Sequence, residues 1–292
     1  MKYRIKHATE YIYADRVSHC YNLAHIIPRN SARQTRIKNN MRVLPFASYT
    51  SKREDYFGNQ TFHFEIQKPH NKLVITSTSE VITNPQKGEV GLDIGVTYGE
   101  ALQLLNDKKN SDTLLAREFL YDSPFIKNSA ALYEYAKSSF DLERTLRSSA
   151  MELTQRIFTD FSYCPESTTV ATPLSEVLEH KRGVCQDFAH LQIGCLRAMG
   201  IPAKYISGYL ETLPPPGQER LVGADASHAW LSLYIPTEGW FEFDPTNNCA
   251  AHEQHIITAW GRDYADVTPL RGVLFGGGES PILNISVDVA RI

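Results

Sequence analysis

The chain has 292 residues, of which 42% are hydrophobic and 22% charged, and its 30 Lys+Arg against 33 Asp+Glu leave a formal net charge of -3. That length and apolar content suit a soluble protein of two or three units with a real core. Near-balanced charge without a dense basic run points away from nucleic acid and from a membrane surface as partners.

The N-terminal run Met1-Lys2-Tyr3-Arg4-Ile5-Lys6-His7 alternates charged and apolar residues. It lacks the unbroken apolar stretch of a signal peptide and the ~20 apolar residues of a membrane span, so a cytoplasmic location is expected. The cysteines (Cys20, Cys164, Cys185, Cys195 and Cys249) are odd in number, irregularly spaced and without a C-x-x-C pair. This is neither a secreted disulfide framework nor a thiolate-rich zinc site.

From residue 1 to about 85 the pattern predicts strands. Tyr3 and Ile5, then Tyr11 and Tyr13, are spaced by two, and Thr61 to Ile66 and Lys72 to Thr78 alternate. Phe57-Gly58-Asn59-Gln60 reads as a turn. An N-terminal antiparallel β domain over residues 1–90 is the expected result, closed by the Asn-, Pro- and Gly-rich stretch 85–96. The region 91–265 changes period. Leu146, Ala150, Leu153 and Ile157 mark one helix face, with weaker helix candidates at 112–120 and 129–138. Thr172 reads as an N-cap with Pro173 as the first residue of a short helix. The strongest helix begins at Cys185, with Phe188, Leu191, Cys195 and Met199 on one face, Gly200 as its C-terminal cap and Pro202 beyond. Strands follow at Lys204 to Tyr209, His228 to Ile235 and Trp240 to Asp244, with Pro214-Pro215-Pro216-Gly217 as a surface loop. The tail, 266–292, ends in an alternating run from Ile282 that predicts a last strand returning to the N-terminal sheet.

Cys185 holds a chemically favoured place. Gly183 permits a tight turn and a close substrate approach. Free N–H groups and the positive dipole end of the first helical turn favour an anion there, both a thiolate nucleophile and the oxyanion of a tetrahedral intermediate. Cys195, on the apolar face of the same helix, reads as core. A thiolate needs a proton partner, and His228 opens a strand whose odd positions from 229 to 235 are apolar, leaving His228 and Trp230 on the other face. A third group must orient the imidazole. Asp244 ends the next strand, across Pro236-Thr237-Glu238-Gly239. If residue 235 pairs with 240, Asp244 falls on the wrong face. A loop of odd length, or a bulge at Gly239, brings it opposite Trp230 or Ser232, on the face of His228, and that register is predicted. Asp187 is expected to complement the helix N-terminus. His190 lies about 140° around the helix from Cys185, too far to serve the thiol. His180, His252 and His255 show no spacing with a carboxylate or Cys that argues for metal.

Arg182-Gly183-Val184-Cys185-Gln186-Asp187-Phe188-Ala189-His190-Leu191 resembles the nucleophile motif of bacterial transglutaminase-like proteins. Ala198 to Tyr205 with Gly208-Tyr209, His228-Ala229-Trp230, and Phe243-Asp244-Pro245-Thr246 are similar to the motifs downstream of the nucleophile in those proteins, in the same order. Arg262 to Val267 with Arg271-Gly272-Val273, and Asp55-Tyr56-Phe57-Gly58-Asn59 in the N-terminal β domain, also resemble the bacterial group. The resemblance covers nearly the whole chain and is weakest from about residue 85 to 145.

The resemblance implies an α+β fold: an N-terminal antiparallel β domain, then a papain-like, transglutaminase-like α+β core. It implies acyl transfer through a thioester, with Cys185, His228 and Asp244 as the catalytic triad, an amide of a peptide, protein or isopeptide as substrate, and no cofactor. Hydrolysis by a peptidase or amidase and transfer to an amine both occur in the superfamily. A binding module that holds a peptide without turnover is the rival, and the complete triad speaks against it. Animal transglutaminases use a Trp upstream of the nucleophile as an oxyanion donor. Here Trp230, Trp240 and Trp260 all come after Cys185, and Tyr163 is the candidate replacement. No D-x-[DN]-x-[DN]-G loop supports calcium activation.

Overall fold

The computed structural model describes residues 1–85, 91–107, 110–212 and 227–292. Strands β1 (Lys2–Ala24), β2 (Gln34–Leu44), β3 (Tyr49–Glu54), β4 (Gln60–Ile66) and β5 (His70–Thr83) come first. Helices α1 (Tyr98–Leu105), α2 (Ser111–Ala116), α3 (Ala130–Ala136) and α4 (Leu146–Asp160) are next. The core continues with β6 (Ser162–Tyr163), α5 (Leu174–His180), β7 (Arg182–Gly183) and α6 (Cys185–Ala198). Then come β8 (Ala203–Leu210), β9 (Ser227–Ile235), β10 (Gly239–Asp244), β11 (Cys249–Ala250) and β12 (His255–Gly261). The chain closes with α7 (Tyr264–Val267), β13 (Leu270–Gly276) and β14 (Ile282–Arg291). The fold is α+β, an N-terminal antiparallel sheet followed by a mixed core. Among the described residues no helix is long and apolar enough to cross a membrane.

The period-2 patterns act as alternation predicts. In β4, Phe62, Phe64 and Ile66 are buried while His63 and Glu65 are half-buried. The strand order is β2-β5-β1-β4-β3, and β13 and β14 both join β1. A break in register between Ile12 and Val17 divides β1. Its first half lies between β5 and β14, its second between β4 and β13. The end of the chain is therefore part of the first sheet.

The core sheet runs β11-β10-β9-β8-β12. One face, with Ala229, Leu231 and Leu233 of β9, packs with Leu191 and Cys195 of α6 in the main core cluster. Further along the sheet Tyr209 and Ile256 meet Tyr3, Ile5, Val81, Val287 and Val289 of the N-terminal sheet. Side-chain amides fix that docking. Asn59 Nδ2 donates to the Trp260 carbonyl (2.8 Å) and its Oδ1 accepts from the Trp260 N–H (2.9 Å). Gln34 does the same at Ile257, at 2.6 and 2.8 Å. Since β12 is an edge strand, these amides stand in for a missing neighbour.

Beyond the unpredicted β12, α7 and β13, two helices differ from the local predictions. Pro173 is the N-cap of α5 rather than its first helical residue, because its extended backbone belongs to the turn before the helix. Helix α1 was not anticipated. Thr97 accepts from Glu100 N and Glu100 Oε2 accepts from Thr97 N, a capping box at its start. The Pro214–Gly217 loop and residues 86–90 of the expected boundary lie outside the described residues.

Candidate active site

Cys185 is the first residue of α6, after the extended Val184. A Cβ at Gly183 would lie 2.8 Å from both Cβ and Oδ2 of Asp187. The bare Cα is what lets Asp187 fold back to accept from the Val184 N–H (2.8 Å) and the Thr168 hydroxyl (2.7 Å). Asp187 thus complements the helix start, as expected, and its burial pushes its carboxyl pKa up. Cys185 is half-buried.

His228 sits on β9 opposite Gly208 of β8. In the following hairpin Gly239 pairs with Ile235 and Phe243 with Leu231, which leaves Pro236, Thr237 and Glu238 as the loop. The loop is odd, and one step further along the ladder places Asp244 opposite Trp230. His228 Nε2 donates to Asp244 Oδ2 at 2.7 Å. Cys185 lies near enough to the same imidazole to act on its charge. The sequence brings the three residues together from a helix start, a strand start and a strand end.

Asp244 is fully buried and heavily hydrogen-bonded. Oδ2 also accepts from Asn247 Nδ2 (2.6 Å) and His255 Nε2 (3.1 Å), and Oδ1 accepts from the N–H groups of Thr246 (2.9 Å) and Asn247 (3.2 Å). Burial opposes its ionisation, but His228 and His255 outweigh burial and hold it far below the usual carboxylate range. Burial likewise opposes a charged imidazole at His228. The Asp244 carboxylate and Cys185 overcome it and push His228 up to about 10. An imidazolium facing a cysteine sulfur is the partner that a thiolate nucleophile uses. The ring stacks on Trp230, with centroids 5.9 Å apart, and Trp230 Nε1 donates to Glu242 Oε2 at 2.8 Å.

His255, whose spacing along the sequence argues for no metal, has a place in the site that the sequence reading did not foresee. It reaches Asp244 from β12 and is itself buried. No spacing along the chain signals this, because β12 joins the sheet beyond β8. Asn247, only three residues past Asp244, carried a turn signal in Asp-Pro-Thr-Asn that could have found it. His228, Asp244 and His255 are also the described residues whose ligand atoms cluster tightly enough for a metal ion, all within 4.8 Å. Asp244 Oδ2 already accepts from both rings and from Asn247, the pattern of a hydrogen-bonded acceptor.

Tyr163 lies beside Cys185. It pairs with Gly183 in the short β6–β7 ladder and meets the Phe188 ring edge-on at 6.3 Å. Burial and the nearby Cys185 sulfur raise its phenol pKa. Cys195 is fully buried, its thiol pushed up to about 12. His190 is turned away from Cys185 and accepts from the Tyr264 N–H (3.1 Å).

Residues 3–82 match the bacterial transglutaminase-like N-terminal region, and residues 133–245 match the transglutaminase-like superfamily. An uncharacterised protein of Mycobacterium bovis is 41% identical over 99% of this chain and 92% of its own length. The chain belongs to the transglutaminase-like superfamily. A second uncharacterised superfamily relative, from Mycobacterium leprae, is 32% identical over 99% of this chain and 98% of its own. A protein-glutamine gamma-glutamyltransferase of Pseudomonas aeruginosa is 28% identical over 151 residues, which are 47% of this chain and 23% of that protein. Among solved structures, a proposed cysteine protease from Cytophaga hutchinsonii shares the transglutaminase-like fold, with a TM-score of 0.76 and 22% identity over 99% of this chain and 90% of that one.

Proposed function

We propose that this transglutaminase-like chain is a cysteine hydrolase that cleaves an amide bond of a peptide, protein or isopeptide through a thioester on Cys185. The observation that carries the reading is one imidazole, His228, bonded to a buried carboxylate, Asp244, at 2.7 Å and set beside Cys185, whose sulfur acts on its charge. The Cys185 sulfur attacks the amide carbonyl, and the Cys185 N–H and the Tyr163 hydroxyl hold the oxyanion. His228 gives its proton to the leaving nitrogen as the C–N bond breaks. It then takes a proton from water, whose oxygen attacks the thioester carbonyl and releases the acid and the thiolate. Asp244 keeps the ring oriented throughout and favours its charged form before attack, and no cofactor enters.

The test is incubation of wild type and Cys185→Ala with a peptide and isopeptide library, read by mass spectrometry. New amino termini or released ammonia with wild type alone, together with an acyl adduct on Cys185, are expected. Turnover that persists in Cys185→Ala, or a peptide bound unmodified by both, would sink the reading. The similarity to the Pseudomonas aeruginosa glutamyltransferase favours a second outcome, in which an amine rather than water resolves the thioester. Incorporation of a labelled amine in place of hydrolysis identifies that outcome.

A further inference from the structure

A second cavity, of about 680 Å3, lies between the N-terminal region and the far face of the core sheet. Lys204 of β8, Tyr234 of β9, Trp240 and Glu242 of β10, Phe119 and Arg33 form its walls, and none of the triad residues lines it. Its size is that of a small-molecule site, with mostly apolar and aromatic walls and a few converging polar groups.

The wall carries three cations, Arg33, Arg147 and Lys204, and three carboxylates, Asp112, Glu238 and Glu242, but they are not all paired. Arg33 pairs with Glu242 at 2.9 Å, and Arg147 pairs with Glu238. Asp112 is exposed at the start of α2. Lys204 is 5% exposed, and its Nζ lies 4.0 Å from the Trp240 ring centre and 3.7 Å from that of Trp260. Among the described residues its ammonium meets only these ring faces, with no hydrogen bond or ion pair. The nearest carboxylate acting on it, Glu242, already accepts from Trp230 and pairs with Arg33. Arg29, on Trp260 at 3.1 Å, adds a second cation nearby. Burial therefore pushes the ammonium down to about 7, and Glu242 opposes this only in part. A buried cation that opens on a cavity with no carboxylate in contact is costly, and an anion arriving from outside would relieve that cost.

We propose that this cavity binds a small monocarboxylate with an apolar body, its carboxylate on Lys204 Nζ and its body against Trp240 and Phe119. One unmatched cation selects a single negative charge. The ring faces select an apolar or aromatic body over a sugar or a phosphate ester.

The probes are phenylacetate and its neutral isostere phenylacetamide, titrated into the full chain just below pH 7 and read by tryptophan fluorescence, since Trp240 stands in the wall. A saturable change with phenylacetate is expected, with phenylacetamide weaker by about tenfold or more, the factor that about 1.4 kcal/mol gives. Lys204→Met is expected to abolish that preference. Soaking wild-type crystals with 4-bromophenylacetate gives a second readout that needs no variant. It should place bromine density in this cavity with the carboxylate at hydrogen-bond distance from Nζ. Equal response to acid and amide, no saturable response, or bromine bound elsewhere only would overturn the proposal.

Discussion

At Asp244 one carboxylate is held by donors from three places in the chain: His228 on β9, His255 on β12 and the turn at Thr246 and Asn247. The two pKa shifts at this pair have opposite signs. The raised His228 stabilises the fold fully below its ordinary value of 6.5, and that contribution is lost as pH rises through about 10. The lowered Asp244 stabilises above its ordinary value of 3.8, and its contribution is lost as pH falls through the much lower folded value. Amide turnover should therefore fall on the alkaline side as His228 loses its proton near 10. In Asp244→Asn the chief raising charge is gone, so that fall should move to lower pH. The neutral rate should drop on the order of 10^2- to 10^4-fold. A pH–rate profile with an unmoved alkaline limb would contradict this. His255→Ala removes one donor from a buried carboxylate and should cost about 1–3 kcal/mol in urea unfolding. An unchanged midpoint would take His255 out of the Asp244 network. Cys185, His228 and Asp244 were legible because helix start, strand phase and loop parity are local patterns. His255 was not, because it reaches Asp244 only through the order of strands in the folded sheet.

At the scale of elements, the position of His228 rests on how closely β8, β9 and β12 approach. Gly208, opposite His228, leaves a Cβ no room: it would lie 2.1 Å from the Ile256 carbonyl and 2.5 Å from the Trp230 ring. Backbone cannot yield as a flexible side chain can. Gly208→Ala should cost at least about 2 kcal/mol and displace Trp230, on which His228 stacks. Thermal unfolding and activity should fall together. A variant as stable as wild type would show that the strands can separate there without harm. Most elements were readable from period and caps, as in α6, where Phe188, Leu191 and Cys195 lie in the core as their spacing predicts, although every residue from Asp187 to Arg197 is buried. Helix α1 was obscured by Gly99 in its first turn and by its short length, although Thr97 and Glu100 spell a capping box.

At the scale of the molecule, the N-terminal sheet and the core fold onto one another. The sequence predicted a returning last strand. The structure shows β13 as well as β14 on β1, which ties residues 270–276 and 282–291 to the first strand of the chain. The role of the Asp55-Tyr56-Phe57-Gly58-Asn59 turn was not legible beforehand, since its partner, the backbone of Trp260, is 201 residues away. Asn59→Ala orphans a backbone donor and a backbone acceptor on the edge of β12. The cost should be about 1–3 kcal/mol for each group left without a partner. Calorimetry should show one transition shifted to lower temperature. Two separate transitions, with the core unaffected, would mean that the sheets are energetically independent.

Everything chemical depends on Cys185 being singled out among the cysteines by its helix start and by His228. The direct measurement is limited alkylation of the native protein with iodoacetamide at mildly acidic pH, with modified peptides located by mass spectrometry. Cys185 should be labelled well ahead of Cys20, Cys164, Cys195 and Cys249, and Asp244→Asn should slow that labelling. An inert Cys185, or labelling shared evenly with the other cysteines, would contradict it.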